Sequence, residues 1–380
     1  MKLCVFPNDP IQAYYEKGEI KPRYFNPKNF FEEIHIISLI EKDVAESKVK
    51  ITAGNASLKI HSVGKINIKN RTKHKDKILS LVKSINPDII RAYNPLVQGW
   101  LAAYCADKLK IPLFVSLHIQ IDMLRRLYKK NNFKRYLSLK YSEKFIEPFV
   151  LKKADKITIV YKIIEPYVLG HCNNKPELLY NRIDTKRFGN GVRIDSLSQP
   201  LVISVGRLTK QKNHQCIIKA MKNIEGHLLI IGNGELYDEL SNLIKSMKLD
   251  KKITIKKSVP NEEIQNYYKS ANLFALAYDT NLEGLPIPVM EAMASGLPVV
   301  IPYPKKGFSD GLEEAALFSK VEPTSFAKNM NEILNNRKLQ EELSIKSLKK
   351  SKQFDQEIIE KREAEIYHGL SKNNNMQNRL

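Results

Sequence analysis

Two carboxylates eight positions apart, Glu283 and Glu291, bracket the stretch EGLPIPVME, with Gly284, Pro286 and Pro288 between them. The strand LFALA (273–277) leads into a loop that delivers Glu283. PVMEAMAS then reads as a helix that Gly296 ends before the strand LPVV. Backbone N–H groups at such a helix start form an anion site. A carboxylate there repels phosphate unless it accepts from hydroxyls, and vicinal ribose hydroxyls are the evident donors. The same pattern also fits a helix cap and one solvated glutamate, so the segment alone leaves both open.

A pair of cations tips the balance. In SVGRLTKQKNH (204–214), Gly206 releases the chain from a strand, and Arg207 and Lys212 follow five apart. Two cations at a strand's carboxyl end are what a departing diphosphate requires. Either alone reads as a solvated surface charge. Together with Glu283 and Glu291 in the same half of the chain, they define a site.

These residues need elements to position them. Apolar runs recur at IHIISL (34–39), DIIRA (88–92), PLFVSLH (112–118) and KITIVY (156–161). They continue at PLVISVG (200–206), HLLIIG (227–232), KITIKK (252–257), LFALA (273–277) and LPVVI (297–301). Helical periodicity lies between them, as where Ile217, Ile218, Met221 and Ile224 share one face. Strands too apolar to face water, alternating with helices, predict α/β architecture with parallel sheets covered on both sides. The polar stretch GNGVRIDSLSQ (189–199) reads as a linker. The expectation is two doubly wound Rossmann-like domains, 1–190 and 191–350, facing each other across a cleft. Residues 351–380 are expected as a helix returning to the first domain, with NNNMQNRL as a frayed end. Ligands of such sheets bind beyond the carboxyl ends of the strands.

The chain has 380 residues, 43% of them hydrophobic, and no apolar run long enough to span a bilayer. MKLCVFPND breaks too early at Pro7 for a signal sequence and reads as a first buried strand. Cys4, Cys105, Cys172 and Cys216 are scattered, which fits buried thiols in a reducing cytoplasm. Charge is lopsided. Residues 1–190 carry 35 Lys and Arg against 18 Asp and Glu, and the remainder 27 against 23. A basic first half suits an anionic partner, although a Lys- and Asn-rich composition alone also produces it.

In this order the motifs resemble the retaining nucleotide-sugar glycosyltransferases of the GT-B fold, the large family four group, over nearly the whole chain. The E-x7-E pattern from Glu283 to Glu291, running on into EAMASGLPVV, carries most of the resemblance. SVGRLTKQKNH resembles the family's Arg/Lys phosphate clamp. IIGNGELYDEL (230–240) resembles its glycine turn, and VPNEEIQNYYKSANLFAL (259–276) its nucleotide-contacting segment. KADKITIVY and LLYNRIDTKRF (178–188) resemble the end of the first domain.

The resemblance implies roles. Arg207 and Lys212, released by Gly206, would hold the diphosphate and neutralise the leaving group. Glu291 would accept from the ribose hydroxyls, and the backbone at Val259 would read the base. Glu283, with the N–H groups of Gly284 and Leu285, would sit against the donor sugar and distal phosphate. His118, ending PLFVSLH, would reach the sugar from the first domain; by itself it reads as a structural histidine.

The implied partners are a nucleoside-diphosphate sugar, of a hexose or N-acetylhexosamine, and a glycan or lipid-linked acceptor in surface polysaccharide or glycoconjugate synthesis. No metal or other cofactor is implied, and D-x-D is absent. Retention would follow a front-face route, with the departing phosphate helping to deprotonate the acceptor. Two departures stand out. The glycine-rich opening loop is replaced by VFPNDPIQAYYEKGEIKPRYFNP, so acceptor contacts do not transfer. Arg182 stands where the family has glycine in NRIDTKRF.

Two other classes fit parts of the pattern. A sugar-nucleotide epimerase shares the fold but lacks the cation pair with E-x7-E. A basic nucleic-acid-binding protein would explain the charge, yet no reading helix, RNA-binding aromatic motif or zinc spacing is present, so no nucleic acid is expected. Residues 125–144, RRLYKKNNFKRYLSLKYSEK, hold eight Lys and Arg against Glu143 alone. Phe133, Leu137 and Tyr141 recur every four residues. This is either a core-packing helix with a solvated charged face or a helix lying on an anionic membrane. The chain is accordingly expected in the cytoplasm, peripheral on the membrane face in the second case.

Overall fold

The computed structural model describes residues 1–377, and the chain forms two compact units. In the first, β1 (Lys2–Phe6), β2 (Glu33–Ser38), β3 (Ser57–Ser62), β4 (Ile89–Tyr93), β5 (Leu113–Leu117), β6 (Lys156–Ile159) and β7 (Glu177–Leu178) form a parallel sheet. Its order is β3-β2-β1-β4-β5-β6-β7. The runs buried on both faces became the central strands, with Leu3 pairing Ile34 on one side and Ile89 on the other. β3 and β7 escaped the sequence reading for a physical reason. β3 carries the half-polar SLKIHS and is an edge strand, and β7 has only two residues, so neither presents a long apolar run.

The second unit holds β8 (Leu201–Val205), β9 (His227–Ile231), β10 (Ile253–Lys256), β11 (Leu273–Ala275), β12 (Val299–Pro302) and β13 (Leu317–Ser319). All are parallel, in the order β10-β9-β8-β11-β12-β13. Ile217, Ile218, Met221 and Ile224 are all buried in its core with Val202, Ile230, Phe326 and Met330. The chain leaves β8 toward β9 on one side, and β11 lies on the other. The carboxyl ends of β8 and β11 therefore mark the topological switch point, where open α/β sheets bind ligands.

The first unit comprises Met1–Val160, Ile164–Tyr180 and the chain from Glu360; the second comprises Tyr161–Ile163 and Asn181–Ile359. The division thus falls nearer Tyr180 than residue 190. Ile183 bonds through its backbone to Phe354 and Gln356, which ties 181–190 into the second unit. Nor is 189–199 a free linker. Val192 N–H donates to Asn266 Oδ1 and Ile194 N–H to Ser270 Oγ, each at 2.8 Å. The helix Gln356–Gln377 joins the first unit from Glu360 onward, where Arg23 pairs with Glu360 at 2.9 Å and Arg91 pairs with Glu363. The segment expected to fray is helical as far as Gln377, and its last three residues lie outside the described residues.

The basic stretch splits into two helices, Ile121–Asn131 and Phe133–Phe145. Phe133 (60% exposed), Leu137 (52%), Tyr141 (43%) and Phe145 (51%) face solvent, so the core-packing reading fails for this stripe. The second helix buries only Leu139 and Ser142. Arg125 behaves in the opposite way: it is buried, and its Nη1 donates to both oxygens of Glu147 at 2.9 Å. All four cysteines are free and buried, and burial pushes the Cys105 thiol up to about 12. Among the described residues no helix is long and apolar enough to cross a membrane.

Candidate active site

The loop leaving β8 carries Gly206, Arg207 and Lys212. Its backbone is clasped by the glycine turn after β9: Gly206 N–H donates to Ile231 O, Leu208 N–H to Asn233 O, and Leu236 N–H to Leu208 O. A side chain at Gly232 would lie 1.9 Å from the Gly206 carbonyl oxygen, and one at Gly234 would lie 2.5 Å from that of Leu208. Both glycines are there so that two backbones can touch, and the result is a rigid base for the cations. His214 braces the loop from beneath, with Nδ1 3.1 Å from Ser204 Oγ, and burial lowers its imidazole from 6.5 to about 4. Arg207 is exposed, whereas Lys212 is buried.

The loop leaving β11 brings the first carboxylate to this base. Asp279 N–H donates to Gln211 O at 2.9 Å, which joins the two loops. Asp279 then folds its own turn, accepting from Asn281 N–H on Oδ1 and from the Leu282 and Glu283 N–H groups on its carbonyl. Glu283 emerges with Oε2 2.5 Å from Lys212 Nζ. The helix Ile287–Ala294 follows, with Pro286 at its N-cap and Pro288 in the first turn. Gly296, at φ 79°, ends it in a left-handed conformation suited to glycine.

Gly284 is required by packing as well. A Cβ there would sit 2.6 Å from Tyr161 Cβ and 3.0 Å from Asp310 Oδ2. Tyr161 opens the short segment that belongs to the second unit, and Asp310 accepts from Lys162 N–H at 3.1 Å. Burial, with the Glu283 and Asp310 charges added, raises the Tyr161 phenol above its usual range. It therefore stays protonated beside Glu283.

Glu291, inside the helix, accepts at Oε2 from the Tyr268 hydroxyl at 3.0 Å. Leu285 is buried, and Val259 lies in the loop after β10. His118 lies in the first unit at the carboxyl end of β5. Its N–H donates to Asn94 Oδ1 at 2.8 Å, Nε2 is 3.3 Å from Ser116 Oγ, and the ring tilts against Tyr93. The structure thus brings Lys212 and Glu283 into contact and sets Arg207 on the same loop. It also adds Tyr161, Tyr268, Asp279 and Asp310, which sequence reasoning missed, and Tyr278, whose hydroxyl donates to the Gly284 carbonyl oxygen. Only Asp279 carried a legible signal, the turn-forming DTN. Among the described residues no group of three or more His, Cys, Asp or Glu side chains is arranged to hold a metal ion.

Two doubly wound parallel sheets in one chain give the GT-B fold. Residues 194–350 match the family described as glycosyl transferases group 1. It is 30% identical over 240 residues to an N-acetylgalactosamine-N,N'-diacetylbacillosaminyl-diphospho-undecaprenol 4-alpha-N-acetylgalactosaminyltransferase of Campylobacter jejuni, covering 60% of this chain and 63% of that one. It is 27% identical over 219 residues to the amylovoran biosynthesis glycosyltransferase AmsD of Erwinia amylovora, covering 56% of this chain and 59% of that one. Each match spans less than two thirds of the relative's length. The structure of Anabaena Alr3699/HepE in complex with UDP and glucose superposes with a TM-score of 0.72 at 14% identity, over 97% of this chain and all of the other, a likeness of fold.

Proposed function

We propose that this chain is a glycosyltransferase that moves a hexose or N-acetylhexosamine from a nucleoside-diphosphate sugar to a hydroxyl of a glycan or lipid-linked acceptor, with retention and without a metal. The observation that carries the reading is the convergence of Lys212, Arg207 and Glu283 on the carboxyl ends of β8 and β11. Arg207 and Lys212 meet the diphosphate, Glu291 accepts from the ribose hydroxyls, and Gly284 and Leu285 offer N–H groups to the distal phosphate. Preorganised cations and amides of this kind stabilise developing charge without reorganising.

The bond between the anomeric carbon and the distal phosphate oxygen breaks as the acceptor oxygen bonds to the same face of that carbon. The acceptor's proton passes to the departing phosphate, so no carboxylate nucleophile is needed. In this reading the backbone at Val259 meets the base. The lipid diphosphate named for the Campylobacter relative supports a lipid-linked acceptor, and the nucleotide in the Anabaena structure makes UDP the first to try.

The decisive experiment incubates donor and lipid-linked acceptor with a chelator and reads the product's anomeric configuration by NMR. Transfer with retention supports the proposal; inversion, or an epimer of the donor formed without acceptor, overturns it.

The solvent-facing stripe of Phe133, Leu137, Tyr141 and Phe145, flanked by exposed Arg126, Lys129, Lys134, Arg135, Lys140 and Lys144, supports a further part of the reading. The helix Phe133–Phe145 rests on anionic lipid and brings the enzyme to a membrane-borne acceptor.

A further inference from the structure

The segment from Glu283 to Glu291 is held from below by two buried phenols. Tyr278, just past β11, donates its hydroxyl to the Gly284 carbonyl oxygen at 2.9 Å. Tyr268, on the helix Ile264–Ser270, donates to Glu291 Oε2 at 3.0 Å and lies 3.4 Å from the Pro288 carbonyl oxygen. Both rings are fully buried, and Tyr268 is locked edge-on to Phe188 at 5.7 Å and against Phe274 at 6.1 Å. Burial, then the charge of Glu291 for Tyr268 and of Glu283 for Tyr278, raises both phenols, so both remain donors throughout the working pH range.

Each bond constrains a different group. The Gly284 carbonyl and the Leu285 N–H belong to one planar trans peptide unit and point in opposite directions. Holding the carbonyl toward the buried Tyr278 therefore aims the Leu285 N–H the other way. At Glu291, a charge-assisted bond to one carboxylate oxygen from a ring that cannot move sets the rotation of the whole carboxylate. Neither effect needs the tyrosine to meet a ligand.

We propose that Tyr268 and Tyr278 are positioning residues with separate duties: Tyr268 orients Glu291 for the ribose hydroxyls, and Tyr278 aims the Leu285 amide at the distal phosphate. The inference rests on the donor-binding reading above and extends it to residues that touch no donor.

The test is calorimetry on the full chain and on Tyr268→Phe, Tyr278→Phe and Glu291→Ala, with melting temperature as a control. The probes are UDP, its 2′,3′-dideoxy form and UMP, or the adenine or guanine set if that base raises the melting temperature more. Losing one hydrogen bond to a charged group corresponds to roughly tenfold in affinity. Wild type should prefer UDP over the dideoxy form and over UMP. Tyr268→Phe should lose most of the ribose preference and keep the phosphate preference, and Tyr278→Phe should do the reverse. If both variants weaken all probes alike, the tyrosines are structural only and the inference falls. If Glu291→Ala loses the ribose preference but Tyr268→Phe keeps it, the role of Tyr268 falls. If Tyr278→Phe keeps the phosphate preference, the role of Tyr278 falls. If Glu291→Ala keeps the ribose preference, or no probe binds, the donor-binding reading itself falls and takes the inference with it.

Discussion

Lys212 Nζ lies 2.5 Å from Glu283 Oε2, so this buried cation is paired with the first carboxylate of the E-x7-E segment. A diphosphate reaching Lys212 has to share or displace that carboxylate. Under the proposed donor-binding roles, Glu283 competes with the phosphate for Lys212 while it helps to seat the sugar. Glu283→Gln should leave affinity for a bare nucleoside diphosphate unchanged or several-fold tighter, and should weaken turnover of the sugar nucleotide by at least about tenfold. Calorimetry beside steady-state kinetics separates the two. Loss of bare diphosphate affinity would show that the ion pair supports the phosphate site.

The two clamp cations should differ in what they cost the fold. Arg207→Ala and Lys212→Ala are each expected to cut turnover by roughly a hundredfold, as for loss of one transition-state donor. Arg207 is exposed, and its loss should leave the melting temperature unchanged. Lys212 is 7% exposed, and removing it strands Glu283 without its partner, so that variant should melt lower. Equal melting temperatures with wild-type turnover in both would remove the clamp assignment.

His214 should make the second unit acid-sensitive. Its folded value of about 4 lies below the unfolded 6.5, so the unfolded chain binds the proton first. The stability this represents is fully present above 6.5 and is lost as pH falls toward 4, the loss amounting to about 3 kcal/mol at the acid end. Urea unfolding at about pH 7.5 and about pH 5 should show the loss, and His214→Gln should flatten it. The same pH slope in the variant would place the effect elsewhere.

The stripe on the helix Phe133–Phe145 should bind vesicles containing anionic lipid at low salt and release them at high salt. Changing Arg126, Lys129, Lys134 and Lys144 to Ser should abolish cosedimentation, because each surface cation contributes about 1 kcal/mol. Phe133→Ser with Leu137→Ser should weaken binding without changing the charge. Arg125 does not belong in that set: paired with Glu147 in the interior, it would unfold its surroundings if replaced. Absence of binding by wild type at low salt would leave the stripe as an ordinary surface.

The long apolar strands and the helix ends, which depend on neighbours along the chain, were legible beforehand. Apolar runs at 200–206 and 273–277 became β8 and β11, and the prolines and Gly296 set the ends of the helix Ile287–Ala294. The periodic face at Ile217, Ile218, Met221 and Ile224 went into the core. These signals are local because strand burial, helix capping and turn chemistry are decided within a few residues. The partners were not legible, because side-chain contacts between distant segments leave no pattern along the chain. Lys212 finds Glu283 across 71 positions, and Tyr268 finds Glu291 across 23. Nothing near Gly284 announces that Tyr161 will press against it. Nor does local sequence say why Arg125 turns inward while Phe133 and Leu137 turn out. That choice depends on where Glu147 lies in the folded unit, since a buried charge persists only where the fold supplies its counter-charge.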